Sequence, residues 1–282
     1  MTCLITGATG EIGSRVVELL IRNGDRPRVF VRDSQKAKKR FGNDADIFVG
    51  DLAVSKSLVS ALTGTKTLFL INTGQDIATR DREAAQVAKA LGVKHLVKLS
   101  SLDSRLAFGA GVWHAKGESA IRASGIDFTF IQPSGFMSNA LFWAESIKNE
   151  SVVRSCTGEG KIAFIHPDDI AAVATKVIMT GDYHGESLPI TGPKAQSYSE
   201  MTAEIGAAIK KPLTFESISE DQERQKLTKD GAQESEIEYH LSIYRAIREG
   251  RAEIVTRDVE RVLERRPITF EQWAHENAAS FL

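Results

Sequence analysis

Thr6-Gly7-Ala8-Thr9-Gly10-Glu11-Ile12-Gly13 follows a short apolar run, Thr2–Thr6, and opens a helical pattern, Glu11–Asn23. A phosphate can come close to a backbone only where side chains are missing, and the amides at a helix N-terminus carry partial positive charge that suits an anion. In this run Gly7 would allow the tight turn off the strand and Gly10 would let a pyrophosphate rest against the backbone. Gly13 would let the helix pack closely on a sheet. Three spaced glycines alone are weak evidence. Their place between a strand and a helix, at the head of an alternating pattern, reads as a dinucleotide-binding turn, with Thr9, Glu11 and Ile12 supplying its helix-entry backbone.

Working outward, apolar runs alternate with helical patterns up to about residue 180, the mark of a parallel, doubly wound sheet. The strand candidates are Thr2–Thr6, Arg28–Val31, Asp46–Val49, Thr67–Ile71, His95–Ser100 and Phe128–Gln132. Most are rich in Val, Ile, Leu or Phe without strict alternation, as expected for strands covered on both faces. Six such strands complete a Rossmann-type α/β sheet. Helices are predicted over Glu11–Asn23, Thr79–Leu91, Trp113–Ala123 and Phe136–Asn149, with Gly24, Gly92 and Gly125 as left-handed stops after three of them. Past Gly181 the pattern becomes mainly helical: Tyr198–Ile209, Glu220–Lys229, Glu234–Arg248 and two further helices, with short strands at Leu188–Thr191 and Leu213–Ser217. The expected organisation is a Rossmann domain over 1–155 with a sheet-associated segment 160–191, followed by a smaller, mainly helical C-terminal cap over 192–282.

The end of the second strand bears on which dinucleotide is bound. An acidic residue about 20 residues beyond the glycine turn would hold the ribose 2′-hydroxyl of NAD. Here the strand ends in Arg32, whose guanidinium could take a 2′-phosphate bidentately, and Lys36, one helical turn on, could add a second charge. NADP(H) is favoured over NAD(H), although both residues could also be a solvated helix start. Asp51 and Leu52, after the third strand, are placed to flank the adenine, with an N-cap as the other reading of Asp51. Asn72-Thr73-Gly74, after the fourth, should pass the pyrophosphate and ribose or form a plain βα loop. Ser100 and Pro133, at later strand ends, complete the cofactor-lining set.

Composition narrows the class. With 42% hydrophobic and 26% charged residues and a formal net charge of -1, the chain reads as an ordinary globular protein. Its 36 Lys and Arg against 37 Asp and Glu leave no clustered basic excess, so no nucleic-acid partner is expected. The apolar runs are strand-length, so no membrane partner is expected either. The two cysteines, Cys3 and Cys156, and the absence of a secretory pattern point to the cytoplasm. Six histidines show no zinc-type spacing with them, and no metal is expected. A homodimer is possible on this reading.

The run Leu4–Gly13, with Val31-Arg32, Gly50-Asp51-Leu52, Phe136-Met137 and a tail carrying Ile247–Arg251, Asp258–Glu260 and Arg266–Phe270, resembles the NmrA-like branch of the atypical short-chain dehydrogenase/reductases. The resemblance covers nearly the whole chain, and its C-terminal segments are similar to those of azo-dye, quinone and triphenylmethane reductases. It implies NADP(H) at the carboxyl edge of the sheet and a substrate cleft under the cap. It also admits regulators that sense the dinucleotide without turnover, in which case the cap would bind a partner protein.

Reductases of the wider group protonate substrate with the Tyr of a Tyr-x-x-x-Lys pair. Anchored on Glu118, that pair falls on Ala110 and His114, so the usual acid is absent. His114, with a side chain that ordinarily titrates near neutrality, could donate a proton or bind ribose, or be a plain hydrogen-bonded histidine. Ser101, with Ser100, stands where the family's active-site Ser stands, or only satisfies a strand end. Trp113 and the group Phe136, Met137, Asn139, Phe142 and Trp143 suggest an aromatic substrate wall; Phe136, Asn139 and Trp143 would share one α-helical face. Core packing is the competing reading. The leading function is an NADPH-dependent reductase of a planar, electron-poor small molecule such as a quinone, azo compound or imine. The alternative is an NADP(H) sensor.

Overall fold

A computed structural model describes residues 2–106 and 108–282. The alternation runs β1 (Cys3–Thr6), α1 (Glu11–Arg22), β2 (Arg28–Val31), α2 (Ser34–Phe41), β3 (Asp46–Val49), α3 (Leu58–Leu62), β4 (Thr67–Leu70) and α4 (Ile77–Ala90). It continues through β5 (His95–Leu99), α5 (Gly111–Ser124), β6 (Phe128–Pro133), α6 (Ala144–Glu150), β7 (Val152–Ser155), β8 (Lys161–Ile162), α7 (Pro167–Thr180) and β9 (Ser187–Ile190). The remainder is β10 (Gln196–Ser197), α8 (Tyr198–Ile209), β11 (Thr214–Ser217), α9 (Glu220–Lys229), α10 (Glu234–Arg248), α11 (Asp258–Leu263) and α12 (Phe270–Glu276).

Two compact units emerge: Met1–Arg105, Ala110–Pro133 and Pro167–Pro189 form the first, and Leu106–Gly109, Ser134–His166 and Ile190–Leu282 the second. The first is built on a sheet of order β3-β2-β1-β4-β5-β6-β9. Registers from β3 through β6 are parallel, as in Leu4↔Arg28 and Leu4↔Leu68. The order reverses at β1, which places the crevice beyond its carboxyl end, where ligands of such sheets bind. β1 and β4 are buried at every position, which is why their sequences are apolar apart from Thr6 and Thr67. The sheet has seven strands rather than the six expected, because β9 adds beside β6, with the Phe130 amide donating to the Glu186 carbonyl at 3.0 Å. Leu4, Leu68, Leu70, Ala84, Leu96, Ile121 and Phe130 fill one side of its core.

The second unit is mainly helical, with β7 parallel to β11 and β8 antiparallel to β10. Its core gathers Met137, Phe164, Tyr198, Met201, Trp273 and Phe281. The division differs from the one expected at residues 134–166. On leaving β6 the chain buries Met137 and Ala140 with the C-terminal helices, so this stretch packs with segments far along the chain. The segment expected to be one α-helix over Phe136–Asn149 is instead a 3₁₀ helix, Met137–Trp143, followed by α6. At three residues per turn Phe136, Asn139 and Phe142 align and Trp143 leaves their line, so the shared face expected of Phe136, Asn139 and Trp143 is not formed.

Candidate cofactor site and its surroundings

Thr6 ends β1 by binding the residue that follows β4 twice: its hydroxyl donates to the Ile71 carbonyl at 2.9 Å and accepts from the Ile71 amide at 2.7 Å. The turn that follows is thereby fixed to the sheet. Gly7 adopts φ +59, where a side chain would be strained and its Cβ would stand 3.0 Å from that of Ile71. The Gly10 amide donates to the Gly7 carbonyl at 2.9 Å, closing the turn. A Cβ on Gly13 would come within 2.3 Å of the same carbonyl oxygen, so α1 can start this close to the turn only with glycine there. Gly10 is the N-cap of α1 and supplies no side-chain cap, leaving the first amides of a 12-residue helix to another acceptor. Gly7 and Gly10 are exposed, whereas Ile12 and Gly13 are buried. Bare backbone, an uncapped helix and an exposed floor fit a dinucleotide pyrophosphate.

At the next strand end Arg32 is exposed, and no ion-pair partner for it occurs among the described residues. The acidic neighbour Asp33 is occupied as the N-cap of α2, accepting from the Gln35 and Lys36 amides at 2.9 and 3.0 Å. Lys36 is exposed in the first turn of that helix. Gly50 passes the Phe30 ring so closely that a Cβ would lie 2.4 Å from it. Beyond it, Asp51 folds onto the Ala53 amide at 2.9 Å and Leu52 packs against the sheet core.

Two residues expected to face the cofactor turn inward with their side chains. The amide of Asn72 donates to Asp81 Oδ1 at 3.2 Å and to the Ile77 carbonyl at 3.3 Å. Asp81 in turn holds Lys98, Nζ to Oδ2 2.6 Å, both side chains 0% exposed. This ion pair was not foreseen, although a lysine in the middle of a strand buried on both faces requires a counter-ion. Thr73 and Gly74 are exposed, Gly74 at φ +91. Ser100 donates to Glu118 Oε1 at 2.5 Å, and the same oxygen receives Gln132 Nε2 at 2.8 Å and Ser104 Oγ at 3.2 Å. Glu118 thus ties α5 to β6 and to the 3₁₀ turn Leu102–Arg105. Ser101 accepts the Asp103 amide at 3.2 Å.

No tyrosine stands on α5, whose sequence starts Gly-Val-Trp-His. His114 is half-buried, with Nδ1 buried and without a hydrogen-bond partner. Burial, with the Lys98 ammonium adding to it, pushes its pKa down to about 3. The near-neutral titration expected of it is therefore corrected: at neutral pH His114 is an uncharged imidazole with a single ring N–H, not an imidazolium that could act as an acid. Trp113 is half-buried on the same helix. In the second unit Met137 is 1% exposed, inside the core, so its side chain packs rather than lining an open wall. Trp143 packs on Tyr198 with ring centroids 4.8 Å apart, while Phe136 is half-buried, Asn139 exposed and Phe142 83% exposed. Pro133 ends β6 and is buried. Among the described residues no group of three or more His, Cys, Asp or Glu side chains could hold a metal ion, and no helix is long and apolar enough to cross a membrane.

Residues 7–180 match the family model described as NAD(P)H-binding. The chain is 31% identical to an NAD(P)H azoreductase of Xenophilus azovorans over 99% of its own length and 98% of that protein. It is 33% identical, over 78% of each chain, to a (4-alkanoyl-5-oxo-2,5-dihydrofuran-3-yl)methyl phosphate reductase of Streptomyces griseus. Its fold superimposes with a TM-score of 0.90 on an NADPH-dependent quinone oxidoreductase of Escherichia coli solved with NADPH, at 24% identity, covering 98% of this chain and 99% of that one. With the glycine cradle intact and this likeness running end to end, the chain belongs to the NAD(P)H-binding family, in its NmrA-like branch of atypical short-chain dehydrogenase/reductases.

Proposed function

We propose that this NAD(P)H-dependent reductase works with NADPH in preference to NADH and passes hydride to an electron-poor, planar small molecule of the quinone, azo or imine kind, without a tyrosine acid. The observation that carries the cofactor preference is Arg32, exposed and unpaired among the described residues beside an aspartate already spent on capping α2. A guanidinium so placed matches a 2′-phosphate and offers nothing to a 2′-hydroxyl that an acidic residue would hold better. Lys36, Asp51, Leu52, Thr73 and Gly74 would flank the adenosine and ribose, with Asn72, Ser100 and Pro133 acting through backbone. Bound NADPH supplies hydride; the chain's own task is to hold it on the glycine turn and keep the nicotinamide end in register.

The acceptor class rests on α5 having Ala110 and His114 where a Tyr and a Lys would polarise a ketone, and on the azo, quinone and unsaturated-lactone reductases among the relatives. An acceptor already poor in electrons needs proximity more than strong general-acid help. His114, as a neutral imidazole, would offer a hydrogen bond to ribose or acceptor; Ser101 and Trp113 are the candidates of the first unit for contact with it. Purified protein is expected to oxidise NADPH in the presence of a quinone or an azo dye and to leave simple ketones untouched. Tight NADPH binding with no turnover on any acceptor would replace this reading with that of a dinucleotide sensor. Arg32→Glu is expected to weaken NADPH by about 10-fold or more and NADH little; equal losses would remove Arg32 from the 2′-phosphate.

A further inference from the structure

Asn72, Thr73 and Gly74 follow β4, the strand beside β1 in the sheet, and the residue before them is pressed against the glycine turn. Ile71 exchanges two hydrogen bonds with the Thr6 hydroxyl, and its side chain is what a Cβ on Gly7 would meet at 3.0 Å. On its other side the loop is held by α4. Asn72, which is buried, gives its side-chain amide to the Ile77 carbonyl at 3.3 Å and to Asp81 Oδ1 at 3.2 Å. Arg80 Nη1 donates to the Thr73 carbonyl at 3.2 Å, while its Nη2 pairs with Asp76 at 3.3 Å. Asp81 is itself fixed from two sides: Lys98 Nζ of β5 stands 2.6 Å from Oδ2, and a Cβ on Gly117 of α5 would come within 2.2 Å of that oxygen. The loop is thus clamped between the glycine turn and a carboxylate that has no room to move.

We propose that α4 positions the cofactor: Asp81, through the Asn72 side chain, and Arg80, through the Thr73 carbonyl, hold the loop 72–74 against the glycine turn in the form that NADPH binds. This rests on the reading of that loop as part of the cofactor site. Neither residue is given a contact with the cofactor; each acts through the loop. The two hydrogens of the Asn72 amide find two acceptors, so the side chain is locked and the backbone that carries it leaves β4 in one direction. Without Asp81 one of those hydrogens would be buried and unpaired, a cost relieved by turning Asn72 out to water, and Thr73 and Gly74 would move with it. Stability alone does not account for the arrangement, because a buried ion pair usually holds a fold no better than two apolar side chains of similar volume. What an apolar pair could not offer is a charged acceptor for Asn72.

Two double variants separate this role from a structural one. Lys98→Met with Asp81→Leu removes both charges and the acceptor; Lys98→Met with Asp81→Asn removes both charges and keeps an amide oxygen for Asn72. The second leaves a buried side-chain N–H unpaired, so it is expected to be the less stable of the two in urea unfolding. It should nonetheless bind NADPH about as wild type does, with the Leu variant weaker by about 10-fold in titration calorimetry. A merely structural pair would make affinity follow stability and reverse that order. Arg80→Met leaves the buried pair intact and should weaken NADPH by about 3-fold with Tm nearly unchanged; it decides the matter alone should either double variant not fold. Equal affinity in the two double variants, a tighter Leu variant, or an Arg80→Met protein that binds NADPH like wild type would overturn the proposal. Calorimetry needs no acceptor, so a wild type that binds NADPH and reduces nothing would end the reductase reading and leave this one standing. A wild type that binds no NADPH would bring down the cofactor site itself, and this proposal with it.

Discussion

Glycines at the ends of α1 differ in what they do, and the difference is measurable. At Gly13 a methyl group would meet backbone, 2.3 Å from the Gly7 oxygen and 2.8 Å from its carbon, so neither neighbour can rotate away. Gly13→Ala is expected to displace the turn, weaken NADPH by about 10-fold or more and cost on the order of 1–3 kcal/mol of stability. Gly24, at φ +84, has nothing within 4 Å of its would-be Cβ. Gly24→Ala should therefore cost only about 1 kcal/mol of backbone strain and leave NADPH affinity as it was. Titration calorimetry on the two variants distinguishes a ligand-shaping glycine from a helix stop. Both roles are readable in the sequence, because spacing and chain position determine them. The state of His114 is not: its uncharged form depends on burial and on Lys98, a residue of another element.

Between elements, the Lys98–Asp81 pair is the contact that pattern reading passed over. β5 reads His-Leu-Val-Lys-Leu and is buried at every position, and its lysine is tolerated because α4 presents a carboxylate at 2.6 Å that Asn72 also orients. Gly117 makes room on α5, since its Cβ would lie 2.2 Å from Asp81 Oδ2. Lys98→Met alone should strand a buried carboxylate and lose about 3–5 kcal/mol in urea unfolding, whereas Lys98→Met with Asp81→Leu should recover most of it. A double variant no more stable than the single one would show that the pair does not act as a unit. The 3₁₀ helix at Met137–Trp143 is likewise an element-scale result: its aromatics fit a 3.6-residue period on paper, but burying Met137 and Ala140 with the C-terminal helices winds it more tightly.

At the scale of the whole molecule, three groups shifted far by burial contribute to the acid limb of stability. His114 is lowered to about 3 and His95 to about 4, both chiefly by burial, while Asp103 is raised to about 6 by the same cause. As pH falls below the ordinary histidine value the unfolded chain gains protons that the two folded histidines refuse, so stability is lost. Asp103 works in the opposite direction, its folded form taking up a proton near 6, before the unfolded form does. Two against one leaves a net loss on the order of 2 kcal/mol between about pH 7.5 and about pH 5, visible as a lower Tm in calorimetry. A Tm that rises over this interval would contradict it. The sequence by itself determined the α/β alternation, the glycine turn and the character of Arg32, because hydrophobic period, glycine spacing and strand-end identity are local properties. Helix limits such as Tyr198–Ile209, Glu220–Lys229 and Glu234–Arg248 were determined in the same way. Only the tertiary structure decided that Asn72 and Ser100 turn inward, that residues 134–166 pack with the C-terminal unit, and that His114 is an uncharged imidazole. Burial and the pairing of charges belong to residues brought together from distant parts of the chain, and no local pattern records them.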